Sequence, residues 1–338
     1  MEQRKIMALG RSSLVISLPK HWIQLTELKQ GDVVSLAINR DRSLVIFPGA
    51  RKEDEPSKIT LYVDSEEKEA FLARSLIACY LNGYSIIRLV SKKFFTVGQQ
   101  KAIRKIVQML YMRIMEADTK EIVISTLIDE SKASIQMGVN RMYKVSSSMC
   151  RDAFTALINQ DASLAKSVYS LDDEVDHFSY FLLRLLRRAA VDPALANQLG
   201  IEILDCLDYQ TLVHRMEHVS DQAANVARHI IMLNGARRRI SNVVLEKMYS
   251  AGCDAIAAYD KAVNALLSSD MKSLDEIIES QAKLKKLDQE IATLAFSEEK
   301  NTEVICACCS IRDSILRIAD NAADIAEIGV NRSYLPSS

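Results

Sequence analysis

A chain of 338 residues is longer than one compact core usually grows, so two or three domains are expected. With 49% hydrophobic and 26% charged residues and only ten glycines and five prolines, the composition excludes a disordered, fibrous or low-complexity protein and favours a helix-rich one. Lysine and arginine number 43 against 44 acids, so the net charge of −1 excludes a global attraction to nucleic acid or membrane, and any such attraction has to be local.

The first five residues, Met1 to Lys5, lead into no uninterrupted apolar core, so neither a secretory signal nor a membrane-spanning start is expected. Residues 1–48 then read as short strands. Leu14, Ile16 and Leu18 alternate with Ser13, Val15 and Ser17, and further strands fit 33–38 and 43–47. Turns are signalled at 29–32 and at Asn39, Arg40 and Asp41, while 19–25 suits a helical turn or two. Trp22, between Leu18 and Leu25, reads as core rather than as a base-stacking platform. The polar stretch 49–57 has the character of a linker.

From 58 to 128, strand-like runs at 59–63, 85–90 and 121–125 alternate with helical patterns at 66–81 and 98–112, giving a small α/β domain to which no chemistry is assigned. Beyond residue 129 the pattern is helical, with breaks at 160–161, 192–193, 234–235, 268–270 and 297–301, which fits six helices. The longest apolar runs, such as 201–207 with its Glu202 and Asp205, fall far short of the about 20 residues a membrane span needs. These helices form two halves of three, about 134–233 and 239–330. In their third helices the segment from Glu217 to Ala227 aligns without a gap on that from Leu316 to Ala326, matching Asp221 to Asp320 and Ala223–Ala224 to Ala322–Ala323. An internal duplication follows, and the fold class expected is multidomain and mainly α, with a small β domain at the N-terminus. The seven cysteines are an odd number without paired metal-ligand spacing, which fits free thiols in a reducing cytoplasm.

Over residues 1–52, nine lysines and arginines (Arg4, Lys5, Arg11, Lys20, Lys29, Arg40, Arg42, Arg51, Lys52) face four acids, a surplus of five positive charges. The basic excess is therefore local to this unit. A domain of about 50 residues buries little core alone, which gives strand exchange with a second copy a physical motive. The order of a basic first strand, Gly10–Arg11, a strand ending in Pro19, a short helix, Lys29-Gln-Gly-Asp32 and a final hairpin ending in Pro48 resembles the SpoVT/AbrB swapped-hairpin family over about 48 residues. The resemblance implies a homodimer, or a higher homo-oligomer, whose interlaced hairpins present Arg4, Lys5, Arg11, Lys20 and His21 to DNA. The bland alternative is ordinary solvated charge on a dimerisation module.

In the helical region Asp172 and Asp176, and Glu217 and Asp221, stand at i and i+4, each pair on one helix face. Like charges at that spacing repel, and two facing pairs would suit a hard cation; the alternative is a solvated acidic face with capping roles. The wording of these motifs, with Glu217, Asp221 and Asn225 on one helix and Asp172 and Asp176 on another, resembles the PhoU family over about 200 residues. That resemblance implies a pair of three-helix bundles, metal clusters on Asp172, Asp176, Glu217, Asp221 and Asn225, and a role in restraining phosphate uptake or its signalling. The ion would be divalent or trivalent: iron, zinc or magnesium. Aligned in the same way, Asp172 corresponds to Leu284 and Glu217 to Leu316, so that Asp288, Asp320, Asp324 and Glu327 make a reduced second set. His214, one turn before Glu217, is a further ligand candidate.

Cys306, Cys308 and Cys309 on one helix read as buried thiols, because zinc sites want paired loops. Arg237, Arg238 and Arg239 read as a solvated loop, with phosphate or nucleic-acid contact as the alternative. No glycine-rich phosphate loop and no nucleophile beside a base is found, so no enzyme is expected. Two functions remain: a phosphate-responsive transcription regulator that binds DNA through its N-terminus, or a cytoplasmic adaptor docking on a phosphate transporter or its signalling partner.

Overall fold

A computed structural model describes residues 2–38, 42–50 and 56–334. The turn expected at 39–41 and most of the expected linker, with Arg51 and Lys52, lie outside the described residues. The chain divides into two compact units, Met1–Glu55 and Pro56–Ser338.

In the first unit β1 (Met7–Leu9) and β2 (Ser13–Val15) form an antiparallel hairpin in which Met7 pairs with Val15 and Leu9 with Ser13. Its three-residue turn carries Gly10 at φ +72, a conformation that glycine adopts without steric cost, and Arg11 at its centre. The single short helix α1 (Lys20–Leu25) starts after Pro19, which cannot donate to a preceding turn, and Thr26 stops it by donating its Oγ1 to the Trp22 carbonyl at 2.8 Å. In the Lys29–Asp32 turn the Lys29 N–H donates to Asp32 Oδ2 at 2.7 Å and the Asp32 N–H returns to the Lys29 carbonyl at 3.1 Å. A second hairpin, β3 (Val34–Ile38) with β4 (Leu44–Pro48), completes the unit. Not one of its described residues is buried: Leu14 is 74% exposed and Leu9 64%, and Trp22 is only half-buried.

The second unit opens with an α/β layer: β5 (Lys58–Val63), α2 (Glu69–Leu81), β6 (Ile86–Ser91), α3 (Val97–Met109), β7 (Met112–Ala117) and β8 (Glu121–Thr126). The sheet order is β5-β6-β8-β7, with β5 and β6 parallel and the remaining pairs antiparallel. Leu72, Leu76, Ile103 and Val107 from the helices pack on Ile87, Leu89, Ile122 and Ile124 of the sheet. The sequence pattern carries the second helix to residue 112, but α3 ends at Met109. Tyr111 then takes the left-handed conformation, φ +51, and reverses the chain into β7, a strand that the apolar pattern missed.

Seven helices follow: α4 (Ile135–Asn159), α5 (Ala162–Ala189), α6 (Pro193–Leu199), α7 (Ile203–Gly235), α8 (Asn242–Ser268), α9 (Met271–Glu298) and α10 (Thr302–Ser333). The addition to the expected six is α6, which Asp192 caps, Pro193 opens and Gly200, at φ +70, ends. Helices α4, α5 and α7 make one bundle and α8, α9 and α10 the other, and one continuous core runs through both. The duplication shows in the turns. Gln160 at φ +49 precedes Asp161, which caps α5, and Ser269 at φ +57 precedes Asp270, which caps α9. Among the described residues no helix is long and apolar enough to cross a membrane. All seven cysteines are unpaired; Cys308 is buried, Cys309 partly so and Cys306 exposed.

The α/β layer is fastened to α5 by a buried charge. The Arg184 side chain is 1% exposed; its Nε donates to Glu130 Oε1 at 2.6 Å, and its Nη atoms donate to the carbonyls of Tyr80, of Tyr84 at 3.1 Å and of Gly83 at 3.1 Å. The guanidinium also lies over the Tyr80 ring, 4.7 Å from its centre.

Candidate metal centre

Helices α5 and α7 lie side by side, and the i, i+4 spacing places Asp172 and Asp176 on successive turns of one, facing Glu217 and Asp221 on successive turns of the other. The four carboxylates feel each other. Burial, then the charges of Asp221, Asp173 and Glu217, push the Asp172 carboxyl up to about 6. Asp176 is pushed up to about 7 by burial and then by Asp172, Glu217 and Asp221, and Asp221 is raised by burial and by Glu217. Glu217 is held in place by Ser179, whose Oγ donates to Oε2 at 3.0 Å, and by His214, whose Nδ1 stands 3.5 Å from the same oxygen. Ser179 escaped the sequence reading, although it lies seven residues beyond Asp172 and so on the same helix face.

Oxygen donors on two facing helices are what a hard cation takes, and Asp172 Oδ1 is buried with no hydrogen-bond partner, so the residues fit such an ion in donor type. Among the described residues no three His, Cys, Asp or Glu side chains already converge on one point. Holding an ion therefore requires these side chains to turn inward.

Asn225 does not join the acids. It points to the other repeat, donating from Nδ2 to Ser314 Oγ at 2.8 Å and Ser310 Oγ at 3.1 Å on α10, while its Oδ1 accepts from Arg228 at 2.6 Å. Nor do the second-repeat acids gather. Asp288 pairs with Arg312 at 3.1 Å, Asp324 with Arg215 of α7 at 3.1 Å, Asp320 accepts from Gln281 Nε2 at 3.2 Å, and Glu327 is exposed. That last contact corrects the register of the repeat. Gln281, opposite Asp320, stands where Asp172 stands opposite Asp221, whereas Leu284 is a core residue like Val175. Cys306, Cys308 and Cys309 form no metal cluster among the described residues.

In the first unit Arg4, Lys5, Arg11, Lys20 and His21 are all exposed. Arg4 pairs with Glu2, and the other four make no ion pair with a described residue. Arg11 occupies the β1–β2 turn and Lys20 and His21 the first turn of α1.

The raised carboxyls carry a pH prediction. A carboxyl that holds its proton more tightly when folded contributes stability below about pH 4, the unfolded value, and that contribution is lost as the pH rises through about 6 for Asp172 and about 7 for Asp176. Chelator-treated protein is expected to lose melting temperature across this window relative to an Asp176→Asn chain, in which one titrating group and one repelling charge are gone. The comparison isolates the site from Asp64, Asp118 and Glu121, whose lowered carboxyls act in the opposite sense at more acidic pH. Parallel melting curves for the two chains from pH 4 to 8 would show that the four acids do not interact.

Comparison with known proteins bears on both units. The PhoU domain family matches residues 139–230, and the family described as antidote-toxin recognition MazE, bacterial antitoxin, matches residues 8–54. The first unit thus resembles a MazE-type domain, and the first helical repeat a PhoU domain. No curated protein sequence matches it. Its structure is similar to that of PhoU from Pseudomonas aeruginosa, with a TM-score of 0.50 at 20% identity, covering 58% of this chain and 93% of that one. It is equally similar to the phosphate transport system regulatory protein PhoU from Streptococcus pneumoniae, with a TM-score of 0.50 at 12% identity over 60% of this chain and 96% of that one. These likenesses establish the fold of the helical region: PhoU-like and duplicated.

Proposed function

We propose that the chain is a cytoplasmic, phosphate-responsive transcription regulator. It binds DNA as a dimer through Met1–Glu55 and takes its signal through the PhoU-like helices, where Asp172, Asp176, Glu217 and Asp221 hold a divalent or trivalent cation. The observation that carries the reading is the first unit itself. A basic hairpin unit without one buried described residue, matched by a MazE-type family, precedes the PhoU-like repeats on the same chain. Lys5, Arg11 and Lys20, which have no acid partner among the described residues, would supply phosphate contacts, and an arginine on an exposed turn is able to reach a base edge. A bound cation would neutralise the facing carboxylates; the chain's own part is to hold four oxygens on two helices, with Ser179 and His214 orienting Glu217.

One observation favours a second reading, in which the protein is an adaptor that modulates a phosphate transporter or its signalling partner: the Streptococcus pneumoniae relative is titled a phosphate transport system regulatory protein. The first reading requires DNA binding that responds to metal and phosphate, measured on the full chain at fixed salt. Sequence-selective binding is expected. Its absence at every metal and phosphate concentration would leave the adaptor.

The cation has its own test. Asp221→Asn removes one of four facing donors and is expected to weaken metal binding by at least about tenfold, the lower end of the cost of losing even an outer partner of a metal ligand. Asp320→Asn, whose acid meets Gln281 instead of further carboxylates, is expected to leave metal content unchanged. Metal analysis of both variants beside the parent decides it. Equal losses would reject the asymmetry between the repeats, and a parent that takes up no metal would return Asp172 to Asp221 to a solvated acidic face.

A further inference from the structure

The three consecutive arginines that follow α7 belong to neither the DNA unit nor the acidic site. They line an open pocket of about 230 Å³ bounded by the end of α4, the end of α7 and the loop leading to α8, with Gln160 and Leu233 among its other walls. The loop is pinned at several points. The Arg237 N–H donates to the Asn234 carbonyl at 3.0 Å, the Arg238 N–H to the Leu233 carbonyl at 2.8 Å and the Ser241 N–H to Glu299 Oε1 at 2.8 Å. Gln160 fastens it from α4, its Oε1 accepting from the Ile240 N–H at 3.1 Å. Arg237 itself sits at φ +53, a helix-ending position that glycine or asparagine usually fills. The sequence spends an arginine there although Gly235 lies two residues away.

Charge at this place is unbalanced. Glu303 stands 3.5 Å from Arg238, and Glu299 is engaged by the Ser241 N–H, but Arg237 and Arg239 have no ion pair or side-chain hydrogen bond with a described residue. Two arginines without a side-chain partner among the described residues and a third that is loosely paired thus stand exposed along this pocket, on a loop whose backbone is already fixed. Guanidinium forks bind phosphate oxygens in pairs, and fixing the loop beforehand removes part of the ordering cost of binding.

The geometry points to a binding site here for a small phosphate-bearing anion, held by Arg237 and Arg239 with Arg238 at its edge, while Gln160, bonded through both amide atoms to the Ile240 backbone, only fixes the loop. The site is separate from the carboxylates on α5 and α7 and stands whether or not the first unit binds DNA. Either orthophosphate or a phosphoryl group on a larger small molecule satisfies this chemistry, and pyrophosphate serves as the probe for the second.

The test is calorimetric titration of the full chain, freed of metal by chelation, with orthophosphate, with pyrophosphate and with a short DNA duplex. Saturable binding of orthophosphate or pyrophosphate is expected, weakening as salt rises. In Arg237→Ala/Arg239→Ala it is expected to fall by about tenfold or more, as the loss of hydrogen bonds to charged groups implies. Arg237→Lys/Arg239→Lys, which keeps the charges and loses the forks, is expected to fall between. Asp221→Asn is expected to bind as the parent does, which separates this site from anion held on a metal. Unchanged melting of the alanine variant certifies its fold, and Arg237→Gln/Arg239→Gln replaces it if melting shifts. The assignment is overturned if neither anion binds, if the arginine variants bind as the parent does, if Asp221→Asn abolishes binding, or if only the duplex loses affinity in the arginine variants.

Discussion

Arg184→Ala is expected to destabilise the Pro56–Ser338 unit by about 3–5 kcal/mol, the range for breaking a buried ion pair by removing one partner. The substitution strands several groups together. Among the described residues Glu130, 14% exposed, keeps only the Arg188 side chain at 3.4 Å, and the carbonyls of Tyr80, Gly83 and Tyr84 lose their side-chain donor. The Tyr80 ring loses the cation above it. Because those carbonyls end α2 and lead into β6, the weakened contact is the one that seats the α/β layer on α5. Protease cleavage between β8 and α4 should therefore rise before the helices themselves unfold. Glu130→Leu combined with Arg184→Met, which replaces both charges by apolar side chains, should recover part of the loss, since an apolar replacement of the whole pair is often neutral. Urea unfolding of the three chains measures this. A loss below about 1 kcal/mol in Arg184→Ala, the scale of an exposed pair, would mean that the clamp is solvated in solution.

Removing Met1–Glu55 is expected to abolish DNA binding while leaving the remainder folded, because Pro56–Ser338 holds both hydrophobic cores. The full chain should lose affinity steeply with salt, since each phosphate neutralised contributes about −0.9 to the slope of log K against log salt. Within the unit, Arg11→Ala is expected to cost about 1–3 kcal/mol and to change sequence preference if the arginine of the β1–β2 turn reads a base edge. Weakening by the same factor on every sequence would assign it to the backbone. Retained affinity in the shortened chain would sink the assignment of DNA binding to the hairpin unit.

The duplicated helices were legible because helical patterns alternate with polar breaks, three of which end in the capping residues Asp161, Asp270 and Asn301. The pairing of Asp172 and Asp176 with Glu217 and Asp221 was legible for a similar reason: i, i+4 spacing fixes a helix face without knowledge of the neighbour. What depends on the neighbour was not. The second repeat's register hinges on whether Gln281 or Leu284 meets α10, and both choices leave an amphipathic helix. Asn225 looked like a fifth ligand until α10 supplied Ser310 and Ser314 as partners. Strand β7 was hidden because Tyr111 adopts a left-handed turn without the glycine that usually signals one. Arg184 gave no signal at all, since an arginine in the last turns of a helix ordinarily reads as solvated charge near the dipole's negative end.

If a second copy covers Met1–Glu55, as in the proposed dimer, the absence of any buried described residue there gives the two parts of the chain a different kinetic order. The helical region carries its own cores, so its folding is a first-order event that finishes on each chain at a rate independent of how many copies exist. A unit whose apolar side chains are covered only by a second copy matures in a second-order step. The amount of its assembled form then rises faster than in proportion to the amount of chain made while that amount is small, and mass action ties its stability to protomer concentration. Halving synthesis would cost such a regulator more than half of its assembled form below the dissociation constant, whereas the acidic site on α5 and α7 would fall only by half. Expression level would thereby become a second input in the proposed dimer, one to which the hairpin unit responds and the helical region does not.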